Sequence, residues 1–197
     1  MGHLPSLPEP THLRDVLSRF PAGWPELLAA HDVILRGAGS LAPSARELLA
    51  AHVSGLNGCA FCQAAHAVHA EALGIAPEVI AQLAGHQGGA DLGERWPPML
   101  AYVRALTLSP ATVDRELVAA VLDAGWDEGA LHDATMVVAL FSFMNRVVLG
   151  FGVDPHAAEY ARRLQAVRRR PLAERRAADD TAVGTRPYHA FGRTAGP

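Results

Sequence analysis

Two cysteines, three residues apart, are the residues of this sequence best suited to carry out chemistry. Cys59 and Cys62 are followed by His66, four residues after the second cysteine. On a helix, side chains at i, i+3 and i+4 share one face, with Cβ atoms about 5–6 Å apart. A disulfide requires Cβ atoms about 3.5–4.5 Å apart, which a slightly tightened first turn supplies. The spacing predicts a redox-active dithiol with an imidazole beside it.

The residues just before the cysteines predict how this dithiol is positioned. Asn57 is suited to cap a helix N-terminus and Gly58 tolerates a turn, so we expect a new helix to open at Cys59 and to run to about Leu73. The preceding residues, about 44–56, form the other helix. A reversal at Asn57-Gly58 would join the two as an antiparallel hairpin.

This hairpin would bring a carboxylate to the imidazole. Glu47 lies about 15 Å back from the turn, whereas His66 lies about 13 Å beyond it and Cys62 about 8 Å. Glu47 is therefore level with His66 and not with Cys62. The arrangement predicts a relay in which Glu47 orients His66 and His66 takes the proton of a thiol.

The complete pattern is Glu47, eleven intervening residues, Cys59-x-x-Cys62, three more residues and His66. It resembles the signature of the alkylhydroperoxidase D-like proteins of the carboxymuconolactone decarboxylase superfamily, in the peroxidase-related branch. The resemblance implies an all-helical fold, thiol-based peroxide reduction, no bound metal and homo-oligomers that are often trimers or hexamers.

The resemblance also implies a role for each thiol. It assigns peroxide attack to Cys62, the resolving or proton-donating role to Cys59, and regeneration to an external dithiol such as a lipoyl or thioredoxin-like donor. Well-studied members carry a second histidine between the cysteines, where this chain has Phe61, so no proton route runs through that position. The residues alone leave the nucleophile open, because a helix N-terminus favours the Cys59 thiolate and a histidine one turn on favours that of Cys62.

Several of these residues also have a structural interpretation. Glu47 is the third residue after Ser44, as in a capping box that closes its own helix. His69 lies seven residues after Cys62, on the same face of the predicted helix, and either borders the site or packs against neighbouring side chains. Cysteines and histidines are also zinc ligands, but on one rigid helix about 15 Å long they cannot converge on one ion at about 2.0–2.3 Å. We therefore expect neither a metal nor another cofactor.

A looser resemblance, in helix order and in Phe143-Met-Asn145-Arg146, extends to roughly residues 25–160. Asn145 and Arg146 fall on a long apolar helix and line either the site or an oligomer interface. An arginine within an apolar run requires a partner such as a carboxylate, so a structural ion pair is the alternative.

The composition sets the remaining limits. Half of the 197 residues are hydrophobic, and the formal charge of −3 argues against general nucleic-acid binding. Apolar runs stay below the roughly 18 residues of a membrane span and the N-terminus lacks a signal-peptide pattern, so we expect a cytoplasmic protein. A C-x-x-C pair in such a protein indicates catalytic chemistry more than a structural crosslink.

Helical periodicity recurs along the chain and no useful length alternates with strand period, so we predict an all-α fold. We expect an irregular segment with a short helix over residues 1–24, one helical domain over 25–170, and an extended tail or arm over 171–197. The favoured function is a thiol peroxidase or dithiol oxidoreductase. The alternatives are a cofactor-free decarboxylase-type enzyme and a non-catalytic, redox-sensing oligomeric protein.

Overall fold

The computed structural model describes residues 2–84, 92–174 and 188, and every regular element among them is helical. The all-α prediction is confirmed, with the cysteine motif on a helix hairpin. The elements are α1 (Leu13–Arg19), α2 (Trp24–Arg36), α3 (Pro43–Leu56), α4 (Ala60–Ala72), α5 (Pro77–Ala84), α6 (Trp96–Leu108), a 3-10 turn (Pro110–Thr112), α7 (Arg115–Asp123), α8 (Glu128–Phe151) and α9 (Ala157–Arg168).

Helix α8 is the central element of the hydrophobic core. Its 24 residues span about 36 Å, from the N-cap Asp127, whose carboxylate accepts the Ala130 N–H, to Gly152, whose φ of 66° suits glycine. The buried face of α8 packs against α3 and α6. By length and composition α8 would also be able to cross a membrane, but core helices pass that test too. Burial in the core accounts for its apolar character.

Helices α3 and α4 form the predicted hairpin, with a different assignment at the turn. Asn57 caps the end of α3 because its N–H bonds back to the Val53 carbonyl at 3.0 Å. Gly58 then supplies the reversal with a φ of 71°, and Cys59 is the N-cap of α4. The expectations that Asn57 caps the second helix and that Cys59 is its first residue are therefore wrong.

The first turn of α3 also differs from the sequence pattern. The helix begins at Pro43 after the N-cap Ala42, because proline needs no N–H partner at the first helical position. Ser44 therefore lies inside the helix and does not cap it. The capping-box interpretation of Glu47 is wrong, and the Glu47 carboxylate points into the core instead.

Elements from both ends of the chain secure the hairpin. Arg168 of α9 donates two hydrogen bonds to the buried carboxylate of Glu71 on α4, at 2.7 and 3.1 Å. From the N-terminal segment, Leu7 and Val16 pack in the same apolar cluster as the two cysteines. The predicted domain boundaries stay a prediction, and most of the predicted tail, residues 175–187 and 189–197, lies outside the described residues.

Candidate active site

The two thiols lie together beneath the surface at the turn of the hairpin. Cys59 and Cys62 are both reduced and buried, and they approach each other to 3.2 Å. A disulfide bond is about 2.05 Å long. Oxidation therefore requires only a small closure of the pair.

Glu47 and His66 meet across the hairpin. The Nδ1 of His66 lies 2.6 Å from Oε2 of Glu47, and both side chains are buried. A carboxylate only accepts hydrogen bonds, so Nδ1 carries the proton and donates it. Burial lowers the pKa of His66, although Glu47 opposes that change. The neutral imidazole therefore has its lone pair on Nε2, which is the form required of a base.

Arg36, the last residue of α2, provides the positive charge for this carboxylate. Its guanidinium lies 2.5 Å from Oε1 of Glu47, and neither side chain is exposed to solvent. Burial alone would raise the pKa of Glu47, but His66 and Arg36 together hold it well below its usual range. Glu47 is therefore ionised at neutral pH and can stabilise a proton taken up by His66.

Tyr188 is a third partner of Glu47 and comes from the C-terminal region. Its hydroxyl donates to Oε1 of Glu47 at 3.0 Å, and its own N–H donates to Asp32 at 2.9 Å. The tyrosine ring stacks near the His66 ring, with centroids 6.2 Å apart. Glu47 thus receives hydrogen bonds or charge from α2, α4 and residue 188.

Asn145 connects α8 to the turn of the hairpin. Its amide donates to Ser54 and accepts from Asn57, each at 3.0 Å, so it is fixed at the turn of the hairpin. The Asn145 amide also favours the ionised form of each thiol, although it is not the largest influence on the pKa of either one. Asn145 therefore lies at the turn that carries the thiols, and its predicted site-lining role stays a prediction.

The two thiols differ in how readily they ionise. The hydrogen bond from Cys62 lowers the pKa of Cys59, while the same bond and burial raise the pKa of Cys62 well above its ordinary value. Ionisation therefore favours Cys59. Access favours the other sulfur, because Cys62 lines a cavity of about 250 Å³ and Cys59 does not.

This cavity is lined by half of the predicted site residues: Cys62, Phe61, His66 and His69. Its wall is mainly apolar and includes Phe61, between the cysteines, as well as the two histidines His66 and His69. Arg146 is not part of it: the side chain is exposed and donates to the Ser142 carbonyl one turn earlier on α8. The predicted role of Arg146, at the site or at an oligomer interface, stays a prediction. The remaining lining residues are Leu13, Leu28, His31, Ala65, Phe141, Met144, Tyr160, Arg163 and Tyr188.

The region around the hairpin is similar to a known protein family. Residues 22–107, which contain Glu47, both cysteines and His66, match the model of the carboxymuconolactone decarboxylase family. These 86 residues are less than half of the 197-residue chain, so the match is a similarity of this region to that family. No curated protein matches the sequence.

Two solved structures share the fold of this chain. The "alkylhydroperoxidase AhpD core: uncharacterized peroxidase-related protein" from Ralstonia eutropha JMP134 is 24% identical, with a TM-score of 0.69, over 74% of this chain and 76% of that one. An "uncharacterized peroxidase-related protein" from Silicibacter sp. TM1040 is 24% identical, with a TM-score of 0.63, over 68% and 70%. The predicted alkylhydroperoxidase D-like fold is therefore confirmed.

The side chains of the described residues do not form a group that resembles a metal site. Among residues 2–84, 92–174 and 188, no three His, Cys, Asp or Glu side chains are grouped as a metal ion would require. The single face of α4 spreads its cysteines and histidines along the helix, and His66 is already bonded to Glu47 through Nδ1.

The sequence interpretation did not include three polar residues of the site. Arg36, His31 and Tyr188 reach Glu47 or the cavity from positions distant in sequence from the motif. For His31 a signal existed, since it lies on the apolar stripe of α2. Arg36 is a fully buried cation at a helix end, and Tyr188 lies in a segment without helical periodicity, so no local pattern indicated either one.

Proposed function

We propose that the protein is a thiol-dependent peroxidase with Cys62 as the residue that attacks the peroxide. The observation that carries the proposal is the 2.6 Å hydrogen bond between His66 and Glu47, beside a reduced cysteine pair at the wall of a cavity. Neutral His66, with Nε2 unprotonated, is suited to accept the thiol proton. Cys62 is the sulfur that a small molecule in the cavity can reach.

The first step breaks the O–O bond. His66 takes the proton of Cys62, and the thiolate attacks the terminal oxygen of R–O–O–H. The S–O bond forms as the O–O bond breaks, and the departing alkoxide takes the proton back from His66. The products are Cys62 sulfenic acid and an alcohol. Because Phe61 cannot donate a proton, His66 both accepts the proton of the thiol and returns it to the alkoxide.

The second step forms the disulfide. Cys59 attacks the sulfenic sulfur of Cys62, its proton leaves with the hydroxide as water, and an S–S bond results. The hydrogen bonds that lower the pKa of Cys59 suit it to this role. An external dithiol, lipoyl or thioredoxin-like, then reduces the disulfide by exchange in the cytoplasm.

The cavity favours an organic peroxide as the substrate. About 250 Å³ is larger than the roughly 30 Å³ that one water occupies in the liquid, and most of the lining is apolar. Hydrogen peroxide would leave most of this space unfilled, whereas an alkyl hydroperoxide would bury its hydrocarbon part there.

The test is peroxide consumption with dithiothreitol as the reductant. We expect Cys62→Ser to lose turnover completely, and Cys59→Ser to accumulate a sulfenic acid that dimedone traps on Cys62. Unchanged turnover in Cys62→Ser would eliminate this mechanism. If both cysteines proved dispensable for a carbon-acid substrate, the decarboxylase-type alternative would hold instead.

We also propose that the protein is a homo-oligomer, a trimer or hexamer as the family resemblance implies. Met136 and Phe143 lie seven residues apart on one face of α8 and are exposed, with 38% and 53% of their surfaces accessible. A second copy would cover this apolar face. Light scattering should give a multiple of 20.9 kDa, and Phe143→Glu should reduce it. A monomeric wild-type protein would contradict the proposal.

A further inference from the structure

His31 is a second buried imidazole at the cavity, and the chemistry above does not use it. Its Nδ1 lies 2.8 Å from the Leu27 carbonyl on the same helix, α2. A carbonyl oxygen only accepts, so Nδ1 carries the proton. Burial lowers the pKa of His31 to about 4, so the ring is neutral at neutral pH. Its Nε2 is then a hydrogen-bond acceptor.

His31 and His66 border the same space. The His31 ring lies 6.1 Å from Phe141 and 5.3 Å from Tyr188. The His66 ring contacts the same two aromatic rings, at 4.4 and 6.2 Å. Both imidazoles line the cavity together with Cys62. Two neutral rings on different helices therefore face one small volume at the reactive sulfur.

The Nε2 of His31 lacks a hydrogen-bond partner among the residues that the structure describes. An acceptor that opens onto a cavity is satisfied by a donor from whatever fills the cavity. An alkyl hydroperoxide has a single donor, its O–H group. The other basic nitrogen, on His66, is occupied with the proton of Cys62 when the reaction begins.

We propose that Nε2 of His31 accepts the O–H of the hydroperoxide and so holds its terminal oxygen toward Cys62. This inference rests on the peroxidase function proposed above. His31 gains no covalent bond and keeps its proton on Nδ1 while the O–O bond breaks. The contact also selects the substrate class: a dialkyl peroxide has no O–H group and cannot make it. His31 is therefore a substrate-binding residue and not a second base for the thiol.

The test separates thiol activation from peroxide binding by using two reagents on the reduced protein. Cumene hydroperoxide reports both processes, whereas alkylation of Cys62 by iodoacetamide, followed for that residue by peptide mass spectrometry, reports only the thiolate of Cys62. Rates are measured for wild type, His31→Phe, His31→Gln and His31→Asn. Val33→Ala, an exposed position on the same helix, is the matched control. Glutamine places an acceptor oxygen near the position of Nε2, and asparagine places one near Nδ1.

We expect His31→Phe to react roughly ten-fold more slowly with cumene hydroperoxide, as for one lost hydrogen bond, with iodoacetamide rates unchanged. His31→Gln should recover more of the peroxide rate than His31→Asn, and dicumyl peroxide should not oxidise the wild type.

Other outcomes would overturn the inference. Equal peroxide rates in wild type and His31→Phe would show that His31 does not bind the substrate, while the peroxidase proposal would stand. Parallel losses with both reagents in all three variants would assign His31 to thiol activation or folding. A wild type inert to cumene hydroperoxide would remove the proposed function and this inference together.

Discussion

Arg46 and Glu47 are neighbours on α3, and each forms a buried ion pair with different surroundings. Arg46 pairs with Asp133 of α8 at 3.0 Å, and Glu47 pairs with Arg36 of α2 at 2.5 Å. Successive helical residues point about 100° apart, so the two pairs lie on different sides of α3. One helix turn thus contains two buried charge pairs whose roles can be compared directly.

The Arg46 pair is surrounded by backbone. Its guanidinium donates to the carbonyls of Ile34 and Gly37 at 3.0 and 2.9 Å, and the Asp133 carboxylate accepts the Leu41 N–H at 2.9 Å. None of these backbone partners changes its charge with pH. The pair therefore fixes the connection between α2 and α3 against α8.

The Glu47 pair is surrounded by side chains that ionise and by a cavity. His66 and Tyr188 both donate to the carboxylate, and both line the space next to Cys62. Burial of charge is common to both pairs and does not distinguish them. What distinguishes the functional pair is a titratable partner that also reaches a cavity.

The largest expected effect comes from the same substitution, carboxylate to amide, in the two pairs. Glu47→Gln removes the charge that stabilises a protonated His66, so the rate of Cys62 oxidation by cumene hydroperoxide at pH 7 should fall about 100-fold. Asp133→Asn should leave that rate, per folded molecule, nearly unchanged. Equal losses in both variants would show that the two pairs do not differ in function.

The second prediction concerns the contribution of the Arg46–Asp133 ion pair to stability. Asp133→Asn leaves the buried Arg46 guanidinium without its carboxylate, so the free energy of unfolding should fall by about 3 kcal/mol. Urea denaturation at pH 7 measures it. Asp123→Asn, an exposed carboxylate at the end of α7, is the control and should change little. A stability loss as small as that of the control would mean that the pair does not secure the loop.

The third prediction is that acid lowers the free energy of unfolding because the buried, neutral imidazole of His31 becomes protonated more readily in the unfolded chain. The pKa of His31 falls from its ordinary 6.5 to about 4 on folding, so the unfolded chain binds more protons between these values. Stability is therefore complete above pH 6.5 and is lost as the pH falls toward 4. Between pH 7 and 4.5, wild type should lose about 2 kcal/mol more than His31→Phe. Equal losses in urea denaturation would contradict this cause.

The smallest effect is expected from the hydroxyl of Tyr188. Tyr188→Phe removes one of the donors to Glu47, so the rate of Cys62 oxidation should fall a few-fold, equivalent to about 1 kcal/mol. Tyr102→Phe is the matched control, because its hydroxyl bonds Thr135 at 2.7 Å and lies outside the cavity. If both variants keep the wild-type rate, the Tyr188 hydroxyl plays no part in the relay.

The sequence predicted the parts of the fold that depend on local spacing. The motif residues, the glycine at the turn and the helical periodicity are short-range signals, and they place Glu47 level with His66, where the structure has them in contact. The roles of the residues at the turn were predicted less well. Asn57 has the side chain of an N-cap, but the hydrogen bond that continues α3 decides its position.

The remaining members of the site depend on tertiary packing. Arg36 and Tyr188 contact Glu47 only because α2 and residue 188 pack over α3. A sequence pattern within one helix cannot indicate such contacts. Two neighbours on α8 illustrate this: Asn145 is buried at the turn of the hairpin, and a rotation of about 100° carries Arg146 to solvent.

Because Tyr188 contacts Glu47, loss of the C-terminal residues during purification would change the reaction rate of the protein. A proteolytic cut anywhere between α9 and Tyr188 would keep both sulfurs, the carboxylate and the imidazole, yet would delete the phenol that contacts Glu47. A thiol assay would still count both cysteines in such truncated molecules, but their rate of Cys62 oxidation would differ from that of the intact chain. Intact mass measured on each preparation would therefore separate genuine kinetic differences between variants from differences in chain length.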